Sequence, residues 1–452
     1  MCPLTDDTWT RAKAWIEATI GGRVVEEHRQ PRWRPAWFVD VELTNGKMVP
    51  LYWRGDRGLV PGASPLRIES DVLEILEDEH IPVPHVYGYC PDPAGILMAR
   101  VPGEVDFHRA ATDEQESVAD DFLHALAQWH KVDPARFETV GLRRPTTPQE
   151  HALFSLDKWE RLYRSTAAQP APLIEFALGW LHRNVPETTG GTVLVHGDNG
   201  PGQFLFEKAR VTAVLDWEFC HLGDPMEDLA LIRGRDVSYP FGDLRKRFAR
   251  YAELSGNAID LARLRYYSVL AMVITPVGLY PVLAHRPAGA DFAQVLAWNS
   301  VFSRTLLECM AEAADVRLGL VEIPEPTPTT RAWIHDSLVD ALRNDLAPRQ
   351  GDDFDRYKVE AAALLADHLR LADELGPALD AADLDDAAKI TGTRHASRVD
   401  SDAALQETVI QAGPDRDEEL IRFFYRRTVR DEILLAPLLG ELSETATLRP
   451  IA

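Results

Sequence analysis

VLVHGDNGPGQFLFEKARVTAVLDWEFCHLGDPMEDLALIR, residues 193–233, carries more chemistry than any other stretch of this 452-residue chain. Two short apolar runs, Thr192 to Val195 and Val211 to Leu215, read as β-strands inside a mostly helical region, and each ends at an Asp-bearing segment. The first delivers His196-Gly197-Asp198, with Gln203 five residues after Asp198; the second delivers Asp216-Trp217-Glu218, followed by Gly223-Asp224-Pro225. Phosphoryl transfer needs this combination: a carboxylate to orient an attacking hydroxyl and accept its proton, and oxygen ligands to hold Mg²⁺ on nucleotide phosphates. In that reading Asp198 is the base, while Gln203 and Asp216 are the metal ligands. The plain alternative is a cluster of turn residues, because Asp before a Gly-Pro turn is common and Asp216 could simply cap the next turn. The ordered set, rather than any single motif, favours phosphoryl transfer.

Working outward, Asp224, Pro225 and Glu227 occupy N-cap, N1 and N3 positions, a good helix start. Asp228 is read as bracing the catalytic loop and His130 as a packed structural histidine. Upstream, Trp37 to Leu43 and Met48 to Trp53 flank Asn45-Gly46, which predicts a β-hairpin. A helix follows from about Pro65 to Glu79, and Gly95 to Val101 is a short apolar strand ended by Pro102-Gly103. A phosphate-holding site needs a basic residue on a strand paired with a Glu on the next helix; Arg54 and Glu69 are the candidates, against a surface Arg and a solvated Glu. No GxxxxGK[ST], strand-linked GxGxxG, HExxH or GxSxG is present.

The 193–233 segment resembles the catalytic region of the aminoglycoside phosphotransferase and choline kinase superfamily, in its branch with an HGDxxPGNFL-type loop and DWE-HLGDP-EDLA. The resemblance covers 193–231 closely and about 38–320 loosely. It implies an α+β, protein-kinase-like fold: a small antiparallel-sheet N-lobe and a mainly helical C-lobe with ATP between them. It also implies Asp198 as catalytic base, Gln203 at the metal-ligand Asn position and Asp216 as a metal ligand, with Met98 and Val101 at the hinge that meets adenine. His196 is expected to support its loop. Two departures stand out. No Gly-rich phosphate loop occurs between Val25 and Val39, where Arg29, Arg32 or Arg34 could substitute, and Gln203 replaces Asn with an amide oxygen one methylene further out.

After Leu320 the chain turns Pro- and Thr-rich, and amphipathic helices are predicted over 331–347, 355–375 and 418–439. The domains expected are an N-lobe over 1–101, a C-lobe over 102–322, a linker over 323–330 and an all-α domain over 331–452. The Ala/Asp-rich patch from Ala378 to Ala388 is read as a solvated turn region. Leu338 to Thr391 is similar to a small helical protein often encoded beside this branch of kinases, a companion of enzymes acting on the hydroxyl of a 4-hydroxyacyl-CoA.

The chain carries 48 basic against 71 acidic side chains, a net −23, which disfavours a nucleic-acid partner. Its four cysteines form no CxxC pair and suit a reduced, cytoplasmic setting. Ser268 to Ala284 falls short of a membrane span and contains two prolines, so a broken pair of buried helices is expected instead. These readings converge on an ATP- and Mg²⁺-dependent kinase acting on a small hydroxyl-bearing acceptor. Its alternatives are a nucleotide-binding pseudokinase scaffold and an aminoglycoside-type antibiotic phosphotransferase.

Overall fold

The computed structural model describes residues 6–30, 34–56, 63–327, 329–440 and 442–451. The chain forms two compact units: Met1–Phe154, Glu187–Leu264 and Arg449–Ala452 compose one, and Ser155–Pro186 with Arg265–Leu448 the other.

The first unit opens with α1 (Asp6–Ile20), then β1 (Gly22–Arg29), β2 (Ala36–Leu43), β3 (Met48–Gly55), α2 (Leu66–Asp78), β4 (Val86–Pro91) and β5 (Ala94–Ala99). The strands form an antiparallel sheet in the order β1-β2-β3-β5-β4. The predicted Asn45-Gly46 turn joins β2 to β3, with Gly46 at φ +79°, a conformation that costs glycine nothing. One face of the sheet buries Val39, Val41, Leu51, Trp53 and Leu97 against Ala12 and Ile16 of α1. Gly95 lets β5 approach that core, since a Cβ there would lie 2.1 Å from the Trp53 ring. In α2 the buried positions are Glu69, Val72, Leu73 and Leu76, a helical stripe. Glu69 therefore sits on an inward face, where only a pairing cation makes a carboxylate tolerable.

Helices α3 (Thr112–Trp129), α4 (Pro134–Glu138), α5 (Pro148–Thr166) and α6 (Pro172–Arg183) follow. The decisive segment then forms β6 (Val193–Val195), β7 (Phe204–Glu207), β8 (Arg210–Val214) and β9 (His221–Gly223). These pair antiparallel as β6 with β9 and β7 with β8. Two small ribbons thus hold the two Asp-bearing loops at their ends. Asp224 caps α7 (Pro225–Asp236) as expected, accepting from the Met226 amide at 2.9 Å, and α8 (Leu244–Ser255) follows. An antiparallel-sheet lobe followed by helices and loop-bearing ribbons is the kinase-like arrangement.

The rest is helical: α9 (Leu261–His285), α10 (Phe292–Ala313), α11 (Ala332–Asp340), α12 (Asp353–Glu374), α13 (Gly376–Thr391), α14 (Arg398–Gln411) and α15 (Asp417–Leu434). Residues 316–327 have neither helix nor strand. Two expectations are corrected. The stretch 268–284 is not a broken pair, because α9 runs through Pro276 and Pro281 as one helix. Burial of Val269, Leu270, Met272, Val273 and Val277 outweighs the lost backbone bonds. By length and composition α9 could cross a membrane, and 56% of its most apolar window is buried within the protein. The patch 378–388 is not a solvated turn either: it lies in α13 and buries Leu379, Leu384 and Ala387 together with Asp383 and Asp386. Alanine is the strongest helix former, and arginines of α15 compensate the buried acids.

Candidate active site

Arg54, near the end of β3, is buried, and its Nε lies 3.0 Å from Glu69 Oε1 on α2. The guanidinium also donates to Asp216 Oδ1 and stands 3.6 Å from Glu218 Oε2, which Arg34 holds in turn. The strand cation and helix carboxylate proposed from the sequence therefore meet, and the second Asp-bearing loop meets them too. Burial alone would raise the Asp216 pKa, but the charges of Arg54 and Arg34 hold it down at about 2. Asp216 is thus an anion at neutral pH. Its backbone is left-handed, at φ 65° and ψ 54°, a strained conformation for a residue with a Cβ.

The first loop is braced from below. Both Asp228 carboxylate oxygens lie 3.1 Å from the His196 amide, and Oδ2 also meets His130 Nε2 at 2.9 Å. His130 Nδ1 in turn lies 2.7 Å from the Tyr251 hydroxyl. His196 donates from Nε2 to the Leu215 carbonyl at 2.8 Å and accepts the Asp198 amide at Nδ1, 3.2 Å away. Both ring nitrogens are spent on the backbone, so His196 ties the two loops together and its one N–H is held by the Leu215 carbonyl. Asp198 projects beyond this scaffold. Gln203 donates its amide nitrogen to Asp198 Oδ2, and Arg235 of α7 pairs with Oδ1 at 2.7 Å.

A cavity of about 250 Å³ is lined by Arg54, Glu69, Met98, Val101, Gln203 and Asp216, six of the seven residues singled out from sequence. The seventh, Asp198, adjoins it through Gln203. Of the arginines considered in place of a Gly-rich loop, Arg34 is committed to Glu218, Arg29 lies 5.5 Å from the Trp37 ring centroid, and Arg32 falls outside the described residues. A larger cavity of about 470 Å³ lies within the helical unit and touches none of the candidate residues. Among the described residues no group of three or more His, Cys, Asp or Glu side chains could hold a metal.

The model of the family described as "Phosphotransferase enzyme family" matches residues 60–267, spanning Glu69, both Asp-bearing loops and α7. The matched region is just under half of the chain and is similar to that family. A Ralstonia eutropha protein assigned to the aminoglycoside phosphotransferases shares the fold, with a TM-score of 0.52 and 20% identity over 66% of this chain and 95% of its own. Acyl-CoA dehydrogenase family member 11 of Rattus norvegicus is 28% identical over 218 residues, 46% of this chain and 27% of that protein. A probable acyl-CoA dehydrogenase, IBR3, of Arabidopsis thaliana is 28% identical over 192 residues, 38% of this chain and 23% of that protein. The chain spans about a quarter of the length of these curated relatives.

Sequence reasoning missed two residues beside the candidate base Asp198. Arg235 lies 37 residues from Asp198 and belongs to no motif, so only the α7 fold reveals their contact. Asn199 is fully buried beside Asp198, with neither side-chain amide atom hydrogen-bonded to the protein. Its place directly after HGD was the available signal.

Proposed function

We propose that this phosphotransferase is an ATP-dependent kinase that moves the γ-phosphoryl group to the hydroxyl of a small acceptor. The observation that carries the reading is the convergence of Arg54, Glu69, Met98, Val101, Gln203 and Asp216 on one cavity, with Asp198 joined to it by Gln203. Arg54 would face the α- and β-phosphates, held by Glu69, and the strand-end segment Met98 to Val101 would receive adenine. Asp198 would take the hydroxyl proton as the acceptor oxygen bonds to the γ-phosphorus and the bond to ADP breaks.

The donor set suits Mg²⁺. Asp216 is ionised, and the Gln203 amide nitrogen is spent on Asp198 while its oxygen has no partner among the described residues. Mg²⁺ commonly takes one or two protein oxygens and completes its shell with phosphates and water, so the lack of a richer carboxylate cluster is no obstacle. Held there, the ion would neutralise charge on the transferring phosphate.

For the acceptor we propose a hydroxyacyl thioester or the related hydroxy acid. The curated relatives named for acyl-CoA dehydrogenases support that class. The buried free thiol of Cys90 suits a reducing, cytoplasmic setting. The test is ATP consumption with Mg²⁺ across hydroxyacyl-CoAs, free hydroxy acids and aminoglycosides, beside Asp198→Asn. Turnover on one class, lowered about 10²–10⁴-fold in the variant, is the expected outcome. Nucleotide binding without turnover on any acceptor would replace the kinase by a scaffold.

A further inference from the structure

A second cavity in the same unit, about 190 Å³, is lined by Phe107, His108, Pro201, Arg235, Tyr239 and neighbouring residues. It meets the 250 Å³ cavity at shared lining residues, Val105 and Gly202. Arg235 belongs to the smaller cavity and Gln203 to the larger, and both hold Asp198, so the carboxylate bridges the two. A phosphoryl donor in one and an acceptor in the other would place this carboxylate between the reacting groups.

Arg235 gives the second cavity its chemical character. A guanidinium has five N–H donors. One is spent on the Pro201 carbonyl at 2.8 Å and one on Asp198 Oδ1 at 2.7 Å, and Nη2 has no acceptor among the described residues. The guanidinium carbon stands 5.7 Å from the centroid of the half-exposed Tyr239 ring, which fixes the plane of the fork. Gly202, at φ +87°, keeps the approach clear, because a Cβ there would sit 2.9 Å from Nη2. The one carboxylate lining this cavity, Asp106, is itself 3.5 Å from Arg109. A cation with unused donors, fixed in orientation beside the proposed base, is suited to a planar anion.

Resting on the kinase reading above, we infer that the smaller cavity is the acceptor site and that Arg235 selects a free hydroxy acid by its carboxylate. A thioester or amide at the same carbon would bring no charge to Arg235. The ligand carboxylate and Asp198 share one guanidinium, so Arg235 both orients the base and offsets the repulsion between two neighbouring anions. It is a positioning and specificity residue, and removing Asp198's charge should leave Arg235 more available to the ligand.

The test uses the full chain and two probes of equal length, 4-hydroxybutanoate and 4-hydroxybutanamide, each titrated by calorimetry and assayed for ATP turnover. The acid should bind at least tenfold more tightly than the amide. Arg235→Gln should abolish that preference, Arg235→Lys should keep part of it, and Asp198→Asn should bind the acid as tightly or more tightly. Thermal unfolding confirms that each variant is folded; should Arg235→Gln fail that check, the partial preference of Arg235→Lys decides. Equal affinity for the two probes, no binding of either, or a preference that survives Arg235→Gln would overturn the inference. Charge preference without turnover would sink the kinase reading and with it the acceptor site, leaving Arg235 as a carboxylate-binding residue, whereas turnover without charge preference would sink only the role of Arg235.

Discussion

Two charge clusters in this protein have similar composition, two arginines with three acids in one and with four in the other, and different geometry. In the first unit Arg34 and Arg54 meet Glu69, Asp216 and Glu218 at the ends of strands and on loops, and the cluster borders a cavity. The cluster in the helical unit also borders a cavity, the one of about 470 Å³, but there Arg427 grips Asp383 with two donors at 2.8 and 2.6 Å and Asp402 with a third at 2.6 Å. Arg398 likewise grips Asp431 through two donors at 2.6 and 3.0 Å. Forked pairs on facing helices consume the arginines' donors and hold helices in register. The first cluster instead presents a strained Asp216 beside Gln203, whose amide oxygen remains available. Charge composition does not separate a site from a brace; what remains for a ligand does.

The largest effect expected breaks the comparison at its functional end. Asp216→Asn should lower ATP turnover about a thousandfold, several kcal/mol of transition-state stabilisation, while circular dichroism shows a folded chain. At the structural end, Arg427→Met should destabilise the protein by about 3 kcal/mol in urea unfolding, because buried Asp383 loses both of its fork donors and keeps only Arg398, 3.5 Å away. Pairing it with Asp383→Leu should restore much of that loss. Turnover per folded molecule should stay within about twofold of the unmodified chain, since changes away from a site act mainly through stability. Collapse of turnover in folded Arg427→Met would mean that the second cluster also serves the chemistry.

The two clusters also differ in how visible they were before the structure. Arg54, Glu69 and Asp216 stand at positions that local pattern exposes: a strand after an Asn-Gly hairpin, the helix that follows it, and the end of an apolar run. Asp224-Pro225 likewise announced the start of α7. Asp383 looked solvated because its partner Arg427 lies 44 residues away on another helix. Alanine-rich acidic sequence carries no trace of that pairing. Arg235 was hidden for the same reason, as a charge on a helix whose partner is distant in sequence. Local periodicity finds elements, and motifs find loops, but a buried ion pair between helices is a tertiary fact.

Gln203 sharpens the comparison within the site itself. An Asn at this position is one methylene shorter and would draw back from Asp198, whose Oδ2 now accepts from the Gln203 amide. Gln203→Asn should therefore lower turnover by about tenfold, one lost hydrogen bond to a charged group. Steady-state ATP turnover at saturating acceptor measures it. A gain in rate would show instead that the longer side chain holds the base back.

The smallest effect expected belongs to the structural cluster and appears only in acid. Burial would raise the Asp386 pKa, but hydrogen bonds from Lys389, Arg430 and Arg426 hold it well below the ordinary carboxylate range. A carboxyl depressed in the folded state stabilises the protein above its unfolded pKa of about 3.9. That contribution is lost as protons bind the folded form at lower pH. Urea midpoints should thus fall less steeply below about pH 4 for Asp386→Asn than for the unmodified chain, with a difference on the order of 1 kcal/mol. Parallel curves would place Asp386 among pairs that hold geometry without adding stability, and would leave the Asp383–Arg427 fork as the principal brace of the helical unit.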